Sequence, residues 1–247
     1  MTDSIIMLRR NFKQTFRNPT AVFNAVLFPI VLLLMFVYVL GGAFDVGDVK
    51  YIDYATPGML LMAITYGLSA TATAVNADMT KGINNRFRVM GISRGAVLNG
   101  HVVANLCRTL IAIAAITGVA FLIGFRPSAS FVDWLGVIGL LVLIGLAASW
   151  LTIALGLSAK TAESAGLATV PLIMLPFLSS AIVPADTMGP GIRQFAEYQP
   201  FTPIIETLRG LLNGTPSAGD STAAIAWCVG IAVVGYVWAR AKFSKRV

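Results

Sequence analysis

The residues that could do covalent chemistry in this chain do not converge. A serine hydrolase needs a nucleophile and a base within hydrogen-bond reach. Gly67-Leu68-Ser69 offers a nucleophile, but the chain holds one histidine, His101. Ser69 falls near the middle of one apolar stretch and His101 at the end of another, a depth difference of about 15 Å at about 1.5 Å rise per helical residue. The His-Glu-x-x-His run of a zinc protease is absent. Aspartyl chemistry needs paired carboxylates, and the acidic residues stand outside the long apolar stretches. With a single histidine, and with Cys107 and Cys228 both inside apolar runs, neither a multi-imidazole metal site nor a disulfide framework is expected. No G-x-x-x-x-G-K loop followed by Ser or Thr is present, so the chain cannot hydrolyse ATP by itself.

What remains is polar but unreactive. Thr65, Ser69, Thr73 and Asn76 recur at helical spacing and share one face. Two readings stand for this stripe: it lines a substrate path, or it holds helices together. Arg108 lies close enough to the start of its apolar stretch to reach back toward the interface. Ala114-x-x-x-Gly118 and Ala226-x-x-x-Gly230 have the small-residue spacing that lets helices approach closely.

The elements that must carry these residues follow from solvent. The 247 residues are 57% hydrophobic and 12% charged, with a mean hydropathy of +0.79. That is too much apolar surface for one water-soluble core. Uncharged runs long enough to cross a bilayer occur at about 21–44, 54–77, 102–125 (with Arg108 inside), 134–158, 164–184 and 221–239. Runs such as Ile30 to Leu40 do not alternate, which excludes barrel strands and leaves helices. The expected fold is therefore an all-α integral membrane protein, a single domain over 1–247 with six transmembrane helices. Pro29, Pro57, Pro171 and Pro176 should kink or break them.

Lys and Arg set the orientation. Arg9, Arg10, Lys13 and Arg17, then Lys81, Arg86, Arg88 and Arg94, then Lys160 and the tail Arg240 to Arg246, fall on one side. Both termini should face the cytoplasm, in the cell membrane. The net charge of +7 fits an anionic inner leaflet, and its placement at helix ends argues against nucleic acid as a partner.

Three segments outside the runs carry more than solvation requires. Ile5, Leu8, Phe12 and Phe16 share a helical face in a basic N-terminal stretch, the pattern of a helix lying in the membrane interface. The loop Asp78 to His101 interleaves Phe87, Val89, Met90 and Ile92 with Arg86 and Arg88, which fits either a helix docked on a partner or an extension packed on the protein's own base. Between the last two runs, Pro184, Gly189, Pro190, Gly191, Pro200 and Pro203 punctuate apolar Ile182, Ile192, Phe195, Phe201, Ile204 and Ile205. Short re-entrant or interfacial helices plugging the outer end are expected there.

Taken in order, the Arg17-Asn18-Pro19 end of the basic helix, six spans, the Asp78–Leu98 loop and the proline-rich outer segment resemble the type-2 ATP-binding-cassette (ABC) exporter permeases. The loop is most similar to that of the daunorubicin-resistance branch. Tyr54-Ala55-Thr56-Pro57-Gly58, Gln199-Pro200-Phe201-Thr202-Pro203 and Leu208-Arg209-Gly210 are similar to family patterns as well. Many relatives begin the loop with Glu and carry Thr-Pro near its end, where this chain has Asp78 and Met90-Gly91. The resemblance implies a coupling helix that contacts a separate ATPase through Gly82, Ile83, Arg86, Phe87, Arg88 and Met90. It further implies two copies of this chain with two nucleotide-binding subunits, ATP and Mg on those subunits rather than here, and membrane lipid as surroundings. The cargo expected is a hydrophobic drug or lipid-like molecule. A lipid, glycolipid or polysaccharide exporter is the alternative within the class, and an ATP-independent carrier or channel the alternative outside it.

Overall fold

The computed structural model describes residues 19–44, 46, 49–80 and 94–246. The N-terminal positions Ile5, Leu8, Phe12 and Phe16 and the loop positions Gly82, Ile83, Arg86, Phe87, Arg88 and Met90 lie outside the described residues. Among the described residues every regular element is helical.

The first helix, α1 (Pro19–Leu34), runs through Pro29 and continues as a π-helical turn, Met35–Leu40. Next come α2 (Tyr51–Tyr66) and α3 (Leu68–Thr80), one long rod interrupted at Gly67 rather than at Pro57. Then α4 (Arg94–Leu122) ends at Gly124, whose φ of 108° lets the chain reverse without the clash a Cβ would bring. A capping box opens α5 (Phe131–Ser158): the Ser130 hydroxyl accepts from the Asp133 amide while the Asp133 carboxylate accepts from the Ser130 amide.

The run 164–184, expected as one span, is divided. The short helix α6 (Ala162–Leu167) is followed by α7 (Val170–Met174), which tightens into a 3₁₀ turn, Leu175–Leu178. Pro171 and Pro176 each stand in the first positions of their pieces, where the missing N–H breaks no hydrogen bond. The proline-rich segment does contain short helices: a 3₁₀ turn, Ala185–Thr187, then α8 (Ile192–Tyr198) and α9 (Phe201–Leu212). The chain closes on α10 (Ala218–Arg246).

Four described helical stretches are long and apolar enough to cross a membrane: Tyr51–Thr80, Leu98–Leu122, Phe131–Ser158 and Ala218–Ser244. Where spans at 21–44 and 164–184 were expected, the apolar helical stretches Val26–Leu40 and Ala162–Leu178 are shorter.

The rod α2–α3 is the hub. From Tyr51 to Thr65 almost every side chain is buried, with Met59, Leu61, Met62 and Ile64 fully enclosed by α1, α4, α5 and the elements after α6. Against it, α5 and α10 pair along their length. Their closest approach is at Gly235, where a Cβ would stand 2.6 Å from the Leu151 backbone nitrogen. The expected close contacts at Gly118 and Gly230 are not made. Added Cβ atoms at either would meet nothing within 4 Å, because those residues face outward. A second apolar cluster, of Val75, Leu98, Val102, Ile153, Leu157, Ala239 and Phe243, fills the end of the bundle where α3 finishes and α4 begins.

Candidate functional site

Three polar assemblies interrupt this apolar packing. The deepest centres on Arg108. Its side chain does not reach back to the interface; it turns inward, onto the break in the α2–α3 rod. Nη2 donates to the Gly67 carbonyl at 2.7 Å, to Thr71 Oγ1 at 2.6 Å and to Asn105 Oδ1 at 2.5 Å. Asn105 passes the connection on, its Nδ2 donating to Ser149 Oγ at 2.8 Å, and Ser149 donates to the Gly145 carbonyl at 2.6 Å. The node thus fastens α3, α4 and α5 to one point. The Gly67 carbonyl at the break also accepts from Thr71 Oγ1 at 3.2 Å, and Arg108 adds a charged donor to the same oxygen.

Arg108 forms no ion pair among the described residues, and its Nε is buried without a partner. An arginine at membrane depth costs about 2.5–3.5 kcal/mol to insert, so an uncompensated one marks function or a demanding structural role.

The second assembly is the stripe. Thr65 is buried and donates to the Met62 carbonyl of its own helix. Ser69 and Thr73 face α6: a Cβ added at Gly166 would lie 3.1 Å from Ser69 Oγ and 3.2 Å from Thr73 Oγ1. Thr73 also donates to the Ala162 carbonyl at 3.3 Å. Asn76 is fully buried, and its Nδ2 donates to the Gly156 carbonyl at 3.0 Å and the Ala159 carbonyl at 2.7 Å. It therefore ties α3 to two carbonyls at the end of α5. Ser69, Thr73 and Asn76 are brought together along α5–α6, whereas Thr65 stands apart beyond the Gly67 break. Past the stripe, His101 Nε2 lies 3.2 Å from Asp78 Oδ2, so the lone histidine faces a carboxylate and not a nucleophile.

The third assembly closes the opposite end. The Arg209 guanidinium lies over the Tyr54 ring, 3.7 Å from its centroid. It donates to the carbonyls of Tyr54 at 3.2 Å and Ser180 at 2.8 Å, and to Glu206 Oε1 at 2.5 Å. Tyr54 Oη donates to the same Ser180 carbonyl at 3.0 Å, and Tyr51 Oη to Ile182 at 3.2 Å. Gly58 admits the Ala181 backbone so closely that a Cβ would stand 2.7 Å from it. Gln199 Nε2 ties the Leu175 and Leu178 carbonyls. The segments Tyr54–Gly58, Gln199–Pro203 and Leu208–Gly210, far apart in sequence, thus meet in one lock. In the sequence, Arg209 stands out within the family-like run Leu208-Arg209-Gly210. The signal for more was the cation Arg209 three residues after Glu206 in a mostly apolar helix, a charge that needs acceptors when buried.

The arrangement has no nucleophile–base pair, and its polar groups are spent on backbone carbonyls. It can position and move helices. The sequence model of the ABC-2 type transporter family matches residues 2–213. The daunorubicin resistance ABC transporter permease protein DrrB1 of Streptomyces coeruleorubidus is 30% identical over 217 residues, covering 87% of this chain and 76% of that protein. The probable doxorubicin resistance ABC transporter permease protein DrrC of Mycobacterium tuberculosis is 25% identical over 236 residues, 95% of this chain and 85% of the relative. A putative transport permease of Porphyra purpurea, ycf38, is 24% identical over 233 residues, 90% and 78% of the two chains. A helical bundle of this hydropathy, matched from its first residues to the end of α9, belongs to the ABC-2 type transporter family.

Proposed function

We propose that this chain is the permease subunit of an ABC exporter that moves a hydrophobic drug or lipid-like molecule out of the cell, driven by ATP hydrolysed on a separate subunit. The observation that carries the reading is the family match across residues 2–213, which takes in the α2–α3 rod, the Arg108 node and the Arg209 lock together. The cargo class is carried over from the drug-resistance names of two relatives. The abundance of lipid-facing apolar surface, such as Val31, Val39, Val233 and Val237, is compatible with such a cargo.

In this reading the chain is one permease domain that crosses the cell membrane six times, with both termini cytoplasmic. The fifth crossing is broken by Pro171 and Pro176, and α8 and α9 form a re-entrant plug at the outer end. Ile5, Leu8, Phe12 and Phe16 lie on the inner interface. Gly82, Ile83, Arg86, Phe87, Arg88 and Met90 form the coupling contact with the ATPase. Two copies of the chain work with two ATPases, which hold ATP and Mg, and the chain itself holds no cofactor. Of the stripe, Ser69 and Thr73 are half-buried and available to a path, while Asn76 is committed to α5.

The mechanism follows from the rod. A pull on the Asp78–His101 loop reaches α3 directly, and Gly67 is where α3 can turn relative to α2. The Arg108 node couples that turn to α4 and α5, while the Arg209 lock holds the far end of α2 until the tilt is large enough to open it. Affinity purification of the tagged chain, co-expressed with an ATPase from a neighbouring reading frame, where this reading expects one, tests it. Stoichiometric recovery of that ATPase is expected; recovery of the chain alone, under conditions that keep it folded, contradicts it.

A further inference from the structure

A cavity of about 440 Å³ opens at the His101 end of the bundle, apart from all three polar assemblies. Its floor is apolar, made by Leu98, Trp150 and Phe243, and its rim is polar, made by Asn99, Tyr236, Arg240 and Ser244. Leu98 and Asn99 precede the apolar run that begins near 102, and Arg240 and Ser244 follow the one that ends near 239. The cavity therefore sits where helices leave the hydrocarbon, the level of lipid head groups. Trp150 and Tyr236 meet edge-on there, 4.9 Å between centroids.

The charge on the rim is of one sign. Arg240 donates from Nη1 to Tyr236 Oη at 3.3 Å and forms no ion pair among the described residues. Among the described residues no acidic side chain lines the cavity, and Asp78, the carboxylate that α3 brings to this end, faces His101. Exposed Lys242 adds a second positive charge nearby in sequence. From Arg240 and Tyr236 the same face of α10 continues toward mid-membrane through Val233 and Val229, both exposed. An occupant that suits all of this has an anionic head with acceptor oxygens, and an apolar tail that leaves along α10.

We infer that the cavity binds the phosphate head group of an anionic glycerophospholipid from the adjoining leaflet, with Arg240 on the phosphate, the Tyr236, Ser244 and Asn99 side chains on its remaining oxygens, and an acyl chain along Val233 and Val229. A zwitterionic lipid offers the same phosphate but brings an ammonium group to a rim that has only positive charge, so phosphatidylglycerol is preferred over phosphatidylcholine. The inference does not depend on what the protein exports.

The test uses the full-length chain in neutral detergent, with phosphatidylglycerol or phosphatidylcholine of matched acyl chains, read by native mass spectrometry and by thermal unfolding. Wild type should retain phosphatidylglycerol at least about fivefold more tightly than phosphatidylcholine, the effect of one well-placed cation. Arg240→Gln should lose that preference, and Lys242→Gln, off the cavity, should keep it. Equal retention of the two lipids by wild type overturns the inference. So does an equal loss in R240Q and K242Q, which would mean diffuse surface charge. Stabilisation by inorganic phosphate alone, without lipid, overturns the lipid assignment.

Discussion

Arg209 and Tyr54 stand 155 positions apart and are joined twice: the guanidinium covers the Tyr54 ring at 3.7 Å, and Nη2 donates to the carbonyl of the same residue at 3.2 Å. This double contact fixes the start of the α2–α3 rod to α9, and through the Ser180 carbonyl it fixes both to the stretch after α7. A charge so placed has replaced its water with ordered acceptors and a ring face.

Arg209→Ala should therefore destabilise the protein by about 3 kcal/mol, from one desolvated cation–π contact and the loss of charged hydrogen bonds. Thermal unfolding in detergent should fall by roughly 5–10 °C. Arg209→Lys should not restore it, since an ammonium cannot cover the ring and reach both carbonyls at once. Recovery to wild-type stability by lysine would show that charge alone matters.

Asn76 separates donation from polarity. Asn76→Ala removes the buried amide that donates to the Gly156 and Ala159 carbonyls, at a cost of about 1–3 kcal/mol. Asn76→Asp should be worse, because a carboxylate cannot donate to a carbonyl and would oppose both with charge. Measured by unfolding, an aspartate variant more stable than the alanine variant contradicts this role.

Arg108 is expected to behave differently from Arg209. Its charge is not neutralised and its Nε lacks a partner, so an apolar side chain of similar length relieves desolvation while it gives up the hydrogen bonds. Arg108→Met should shift stability by no more than about 2 kcal/mol in either direction. Export should nonetheless fall at least about tenfold, a change worth about 1.4 kcal/mol in the barrier. Loss of folding together with normal export per folded molecule would make Arg108 a structural residue only.

How much of this could be read from the sequence depends on what each residue answers to. Hydropathy answers to solvent, so the long uncharged stretches around Met62, Ile116, Ile144 and Cys228 were legible as helices. It does not register backbone continuity. The run 164–184 averages as apolar, yet Pro171 and Pro176 restart it as separate pieces. Pro57, expected to kink or break its helix, lies inside one without interrupting it, while the break falls at Gly67. The stripe was legible as a face because spacing alone sets it, and its neighbours, Gly166 and the end of α5, were not. Arg108 was placed by depth as a charge that seeks water, and Arg209 stood out only within a short motif. Their acceptors are backbone carbonyls, which every residue carries and no sequence pattern advertises. For the small-residue motifs, spacing permits a close contact but the facing surface decides it: within this chain Gly235 has one where Gly118 and Gly230 do not.

For the loop between α3 and α4, Phe87→Ala combined with Arg88→Ala should uncouple export while the chain still inserts and folds. Fractionation to the membrane should be unchanged, and ATPase recovered with the tagged chain should drop severalfold. Wild-type export by the double variant contradicts the coupling role.

Inside-out vesicles containing this chain and its ATPase, given a fluorescent hydrophobic drug, test the central claim most directly. ATP should drive accumulation of the drug in the lumen. Accumulation should vanish when the ATPase is left out or when ATP is replaced by a non-hydrolysable analogue. Accumulation of the same size from vesicles that hold this chain alone, without nucleotide, would contradict the account.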